Sequence, residues 1–357
     1  MSIRKFIRIT LSAAGGAASA LAFLSLNLTC SNLVVPEEIK PGRRDYVWTI
    51  DTLEYPGSFQ TSMWDIWGSS LNNVYVVGHN DQAYGNMYRY DGNKWNAIDI
   101  GEYLGFRNVG LASLFGFGLN DIWVVGAEAY SMVVPPYTTT FESLIIKIDG
   151  SNWIKMNIEK RDFLLTINGS SPNNIFAGGI YGSFYQYDGT TWRRINFDTT
   201  LSVKSIVTLS SEKTYVMSYV QKQSERAYFD FYDGNSFVRL DSSTWYDRTF
   251  GQAEIWSSDN KTLYSVGDGG VYQWEGSKWK NILNTPDIIR RIRGSHIKNI
   301  FAVGVNLIYH FNGTDWYQYP SFVKDWVLWT GIWTDGKEVF ICGHSAGGRK
   351  TYILHGK

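Results

Sequence analysis

Two cysteines in 357 residues, Cys30 and Cys342, are too few for a disulfide framework, so the fold does not rest on cross-links. Charge is balanced, with 33 basic and 33 acidic residues; no global field draws the chain to nucleic acid, and no nucleic-acid partner is expected. No window sustains a helical period of apolar residues, which excludes bundles and alternating helix–strand folds. Calcium loops, phosphate-cradling glycine motifs, Ser/His/Asp orders and zinc spacings are all missing, so neither cofactor nor metal is expected. What remains is abundant apolar material, 44% hydrophobic and 16% aromatic, enough for a large buried core.

The N-terminus differs from the rest. Arg4, Lys5 and Arg8 precede an uncharged, Ala-rich apolar run from Ile9 to Leu28 that ends at Cys30, the form of an export signal. A cysteine at this boundary resembles the lipobox of bacterial lipoproteins, although Asn27, Leu28 and Thr29 depart from the preferred residues. That resemblance implies acylation of Cys30 and a chain divided into signal peptide 1–29, tether 30–44 and folded body 45–357. Earlier cleavage near Ala18-Ser19-Ala20 and an uncleaved anchor remain open, since the run is long enough to span a bilayer. Each alternative places the body outside the cytoplasm. A Cys30–Cys342 bridge requires an unacylated Cys30, and Cys342, standing in "VFICG" where Val77 stands in "VYVVG", reads as a small buried hydrophobe.

The body repeats itself. "YDGNKW" at 90–95 returns as "IDGSNW" at 148, "YDGTTW" at 187, "YDGNSF" at 232, "WEGSKW" at 274 and "FNGTDW" at 311. Asp or Asn followed by Gly suits a turn needing positive φ, and the flanking large residues suit strands, so each copy predicts a hairpin. Upstream lies a second block, "IWGSSLNNVYVVG" from 66, "LFGFGLNDIWVVG" from 114, "INGSSPNNIFAGG" from 167, "IWSSDNKTLYSVG" from 255 and "IRGSHIKNIFAVG" from 292. It reads as strand, turn and fully buried strand. One unit is therefore four strands, repeating every 37 to 58 residues between turn aromatics, the spacing of propeller blades.

Buried strands at 74–78, 122–126, 175–179, 214–218, 263–267, 300–304 and 339–343 give seven units. The seventh reaches "YILHGK" with Gly356 in the apparent turn position, while "YVWTIDTL" at 46–53 aligns with "NKWNAIDI" at 93–100, Trp48 on Trp95. The expectation is an all-β, seven-bladed propeller of four-stranded antiparallel blades, its last blade completed by the N-terminal strand, and monomeric. The turn aromatic is expected to pack between blades.

The two blocks together resemble a group of bacterial secreted and lipoprotein propellers loosely related to Asp-box repeat proteins. Asp91, four places before Trp95, sits closer to its aromatic than a sialidase-type Asp-box requires, and WD and Kelch lookalikes at Trp64-Asp65, Gly78-His79 and Gly178-Gly179 do not recur as those families demand. The resemblance implies a fold and an exported location at the cell envelope, lipid-anchored to a bacterial outer membrane. It implies no activity.

Strand alternation puts the repeated turns on one face and the variable connections on the other, at 53–63, 79–86, 101–110, 127–143, 219–227 and 241–252. That second face is the candidate binding surface. Tyr84, Tyr103, Tyr130, Tyr137, Trp245 and Tyr246 would furnish aromatic contacts. His79 and His344 close second strands in blades 1 and 7, with Asp268 at the same place in blade 5; His310 reads as a solvated third-strand residue alongside Arg89, Lys147 and Gln186. The leading reading is a non-enzymatic scaffold recognising an envelope protein or glycan. The rival is a carbohydrate-active enzyme, glycoside hydrolase or glucosyltransferase-like, drawing on Glu102, Glu128, Asp247 and Glu254 read as loop carboxylates.

Overall fold

The structure is a computed structural model that describes residues 39–131, 139–159, 162–220, 223–244 and 246–357. Cys30, the signal segment, Tyr137 and Trp245 lie outside the described residues. Lys40–Lys357 is one compact unit of seven four-stranded antiparallel sheets. The innermost strands, Thr61–Ser70, Val109–Gly118, Leu164–Ser171, Leu201–Ser210, Glu254–Ser257, Ile289–His296 and Val327–Thr334, contact one another in series, and the last touches the first. All seven buried strands expected from the sequence are second strands of blades, and Cys342 is fully buried in the seventh, on the position of Val77.

Trp48–Leu53 pairs antiparallel with Thr351–Gly356 as the outer strand of blade 7. Register corrects one detail of the closure. Val339 pairs with Gly356 as Val74 pairs with Tyr90, and Trp48 faces Gly356 as Trp95 faces Tyr90. Gly356 thus ends the third strand rather than occupying the turn. Val47 and Lys357, exchanging two 3.0 Å backbone bonds, hold the places that Lys94 and Asp91 take in blade 1. Further upstream, the Gly42 amide donates to Lys298 O at 2.8 Å, and Arg44 pairs with Asp315, so residues 42–44 lie along blade 6.

Each feature of the repeat has a structural cause. In the turns, Asp91 Oδ1 accepts the amides of Asn93 and Lys94 at 2.9 Å each, and Gly92 alone takes positive φ, 98°. Those amides hold the Asp91 carboxyl down at about 2. The tyrosine hydroxyl donates back to the turn glycine carbonyl, Tyr90 to Gly92 at 3.0 Å, repeated by Tyr187 and Tyr232. The turn aromatic packs on the preceding blade: Trp95 on Phe340, Trp192 on Trp123, Phe237 on Phe184, Trp279 on Phe229. In the "GSS..N" block, Asn73, Asn174 and Asn299 donate to Ser69, Ser170 and Ser295 at 2.7–2.8 Å and accept from Arg89, Gln186 and His310.

His310 is therefore not solvated. It is fully buried, stacked 4.2 Å from Phe301, with Nε2 2.8 Å from Asn299 Oδ1. Desolvation, with repulsion from Arg44, pulls its pKa down to about 4.

Two connections read as loops are strand extensions instead. In blade 2 the pairing runs on from Ala127↔Ser143 to Ser131↔Thr139, and in blade 4 Val220 pairs with Gln223. Both form hairpin arms. The 101–110 connection carries a short helix, Ile100–Leu104, capped by Asp99 through the Gly101 amide at 2.8 Å.

Candidate functional site

The central feature comes from one irregularity in the innermost strands. In six blades the register with the second strand slips by one residue, at Trp64, Ala112, Leu165, Lys204, Arg290 and Thr330. A β-bulge of this kind redirects its extra side chain. All six, with Ala253 of blade 5, line an axial cavity of about 650 Å³, within the range of ligand sites. Gly267, Asp268 and His344, at second-strand ends, line it too, so it lies toward the variable-connection face. In every blade but the fourth, where Ser218 stands, a glycine on the second strand faces this region: a Cβ on Gly78 would stand 2.0 Å from Ser62 O, and one on Gly126 1.9 Å from Gly110 O.

Residues at or just after several of these bulges form the cavity floor and tie neighbouring blades together. Asp65 accepts from Ser113 Oγ at 2.7 Å and the Leu114 amide at 3.2 Å. Ser205 bonds the Ile255 backbone, Arg291 Nε donates to Thr330 O at 2.6 Å, and Thr330 Oγ1 donates to Met63 O at 2.8 Å. Glu254, 1% exposed, accepts from Arg291 at 3.0 Å and the Ile292 amide at 2.9 Å and forms an ion pair with Arg293 at 2.9 Å. This corrects the placing of Glu254 on a variable loop: it is an innermost-strand residue whose oxygens are all engaged. Burial pushes the Asp65 carboxyl up, with Arg291 and Arg293 pulling the other way. Below the floor a second cavity of about 240 Å³ faces the repeated turns.

Charge in the upper cavity is uneven. Lys204 Nζ donates to Gln252 O at 3.2 Å; burial, then repulsion from Arg290 and Arg291, pulls its pKa down to about 8. Arg290 is exposed in the cavity and has no hydrogen bond or ion pair among the described residues. Asp268 is the carboxylate in the wall. Apolar lining comes from Trp64, Leu165, Tyr219 and Leu328. An aromatic path leads outward, Trp64 to Phe163 at 6.3 Å and Phe163 to Phe141 at 5.9 Å, onto the blade 2 arm.

Of the residues singled out in the sequence, Tyr84, Tyr130 and Tyr246 are exposed on variable connections, Tyr246 at 94%. Tyr84 stacks on Tyr55 at 5.8 Å with Arg107 over its ring. Tyr103 turns to the rim and stacks on Trp153 of blade 2's outer strand at 4.6 Å. His344 lines the cavity; His79 stacks beside Trp64 at 6.3 Å, where burial lowers its pKa. The remaining carboxylates do not converge. Glu128 pairs with Lys155, Glu102 lies on the short helix and Asp247 on an exposed turn. Among the described residues no three His, Cys, Asp or Glu side chains gather as a metal site.

Sequence reasoning missed Trp64, Lys204, Arg290, Phe59 and Trp326, the last two exposed on the same face. A signal existed. Extending the repeat alignment four residues upstream of the "G" in "IWG" gives a varied column reading Trp, Ala, Leu, Lys, Ala, Arg, Thr, two places before a near-constant Ile or Leu. Phe59 is held outward by Asp81, which accepts Ser58 Oγ at 2.6 Å and the Gln60 amide at 2.9 Å.

No family model matches the chain, and no curated protein does. Solved structures do. The structure described as "YCF48 bound to D1 peptide" aligns with TM-score 0.62 at 13% identity, over 88% of this chain and 97% of that one. YCF48 from Cyanidioschyzon merolae gives 0.58 at 14%, over 86% and 98%. The WD40 propeller domain of Doa1 gives 0.57 at 9%, over 87% and 97%. At such identities the likeness is one of fold: this chain is an all-β, seven-bladed propeller closed through its N-terminal strand.

Proposed function

We propose that the protein is a non-enzymatic scaffold that seats a segment of a partner protein on the variable-connection face, with the axial cavity at its centre. The observation that carries this is the convergence of an open, bulge-lined cavity and the exposed aromatics Phe59, Tyr84, Tyr130, Phe141, Tyr181, Tyr246 and Trp326 on elements of that one face. Large apolar surfaces of this kind mark interaction sites. A propeller of the same fold solved with a D1 peptide supports a peptide as the class of ligand. The carbohydrate-active alternative needs two free carboxylates across a scissile bond; Glu254 is locked among arginines and the other three candidates stand apart. Location completes the proposal: export by the N-terminal signal and acylation at Cys30 would hold the propeller at the envelope, facing partners there.

A photo-crosslinking side chain at Phe59 or Tyr246 should capture a protein in intact cells, and the same group at Leu119, exposed among the turns opposite, should not. Equal capture from both faces, or capture of oligosaccharide alone, overturns the proposal. Replacing Cys30 by Ser should abolish incorporation of a labelled fatty acid.

A further inference from the structure

We infer that the axial cavity recognises a carboxylate side chain of an acidic peptide segment, held by Arg290 and Lys204 against the apolar wall of Trp64 and Leu165. This rests on the scaffold reading above and names what the scaffold grips.

The fold leaves charge in the axial cavity unbalanced. Four charged groups of the floor neutralise one another: Glu254 is paired with Arg291 and Arg293, and Asp65 lies in the field of the same two arginines. Above the floor stand Arg290, unpaired among the described residues, and Lys204, whose contacts there are to neutral groups, the Gln252 carbonyl and the Tyr219 ring. Asp268 is the one acidic side chain opposing these two cations in the wall, so the cavity carries surplus positive charge within largely apolar surroundings. Such a pair is mutually repulsive, and that repulsion adds to burial in depressing the Lys204 amine. An entering carboxylate would relieve that repulsion and accept charge-assisted hydrogen bonds from a guanidinium and an ammonium.

The shape restricts the guest. Because Arg291, with its bonds to Thr330 O and Glu254, lies between the upper and lower cavities, a side chain enters from the variable-connection face. Flanking residues of the same segment would then lie along Phe163 and Phe141, which favours apolar neighbours beside the acid. Phosphate groups share the anionic chemistry, but the wall of Trp64, Leu165 and Leu328 suits a carboxylate with an aliphatic stem.

The test is selection from a display library of random blocked peptides by the protein and by its Arg290→Glu variant. Arg290 is exposed and unbonded, so R290E should melt at the temperature of the parent. Peptides enriched by the parent should carry Asp or Glu at one fixed position, and changing that residue to Asn or Gln should weaken binding about ten- to a hundred-fold. The R290E variant should enrich Lys or Arg at the same position instead. Enriched peptides with no acidic position, or an acidic preference that survives both R290E and Lys204→Met, overturn the inference and leave the scaffold reading standing. Enrichment of no peptide by the folded parent overturns both. Binding of free glutarate as tightly as the glutamate peptide would reassign the cavity to small organic acids.

Discussion

His310 and Gln186 occupy the same place in different blades, each donating to the asparagine that opens the second strand, and only one of them titrates. His310 is held neutral, with Nδ1 buried and unpartnered. A histidine whose folded pKa is lowered from 6.5 to about 4 binds fewer protons folded than unfolded between those values. Its contribution to stability is intact above pH 6.5 and lost as pH falls toward 4, by up to about 3 kcal/mol. His310→Gln should keep the bond to Asn299 and flatten that dependence. Urea melts of the two proteins at pH 7 and pH 4.5 measure it: the parent should lose stability relative to the variant on acidification, and parallel curves would refute the buried neutral histidine. The same residue marks a limit of reading from sequence. Arg89, Lys147, Gln186 and His310 look like a solvated polar column, and polarity alone does not reveal that their partners are the asparagine or, for Lys147, aspartate side chains that open the second strands. Cavity residues were hidden for a related reason. The slip that turns Trp64, Lys204 and Arg290 toward the axis is a property of backbone register, and the repeat alignment that names the strands does not show which residue is extruded.

At the level of elements the repeat was legible because each motif residue makes a local bond: aspartate to turn amides, tyrosine to turn carbonyl, asparagine to serine. Short-range chemistry leaves short-range sequence signatures. The inserted hairpin arms were not legible, since an arm and a loop of equal length differ only in whether cross-strand partners such as Glu128 and Glu142 come into register. Turn aromatics join the two scales, because each is placed by its own hairpin and buried by the neighbouring blade. Trp192, packed on Trp123 at 5.7 Å, is 9% exposed, and its replacement by Ala should cost about 3–5 kcal/mol. Trp316, half-buried in the equivalent place, should cost less. Chemical denaturation ranks the two; equal or negligible losses would mean that blade-to-blade packing does not depend on these rings.

Over the whole molecule, stability depends on a ring that has no free end once Trp48–Leu53 is in place. That strand covers the edge of Thr351–Gly356 and brings Tyr46 and Trp48 into a core shared with Phe301, Trp329 and Leu354. Removing residues 45–53 would expose a buried strand edge and take away two aromatic anchors together, a loss comparable with the 5–15 kcal/mol that holds an ordinary domain. Trp48→Ala should lower the melting temperature while keeping a single transition, because the other residue pairs of the strand remain. The deletion should melt far lower, or at low yield. Its decisive companion is rescue in trans: a peptide of residues 45–53 supplies the missing strand and should raise the melting temperature in a concentration-dependent way, as strand addition at an open edge does. A truncated protein that melts like the parent would show that the ring is held by packing of seven innermost strands alone. Failure of the peptide to stabilise a truncated protein that does fold would show that the C-terminal edge has been covered some other way.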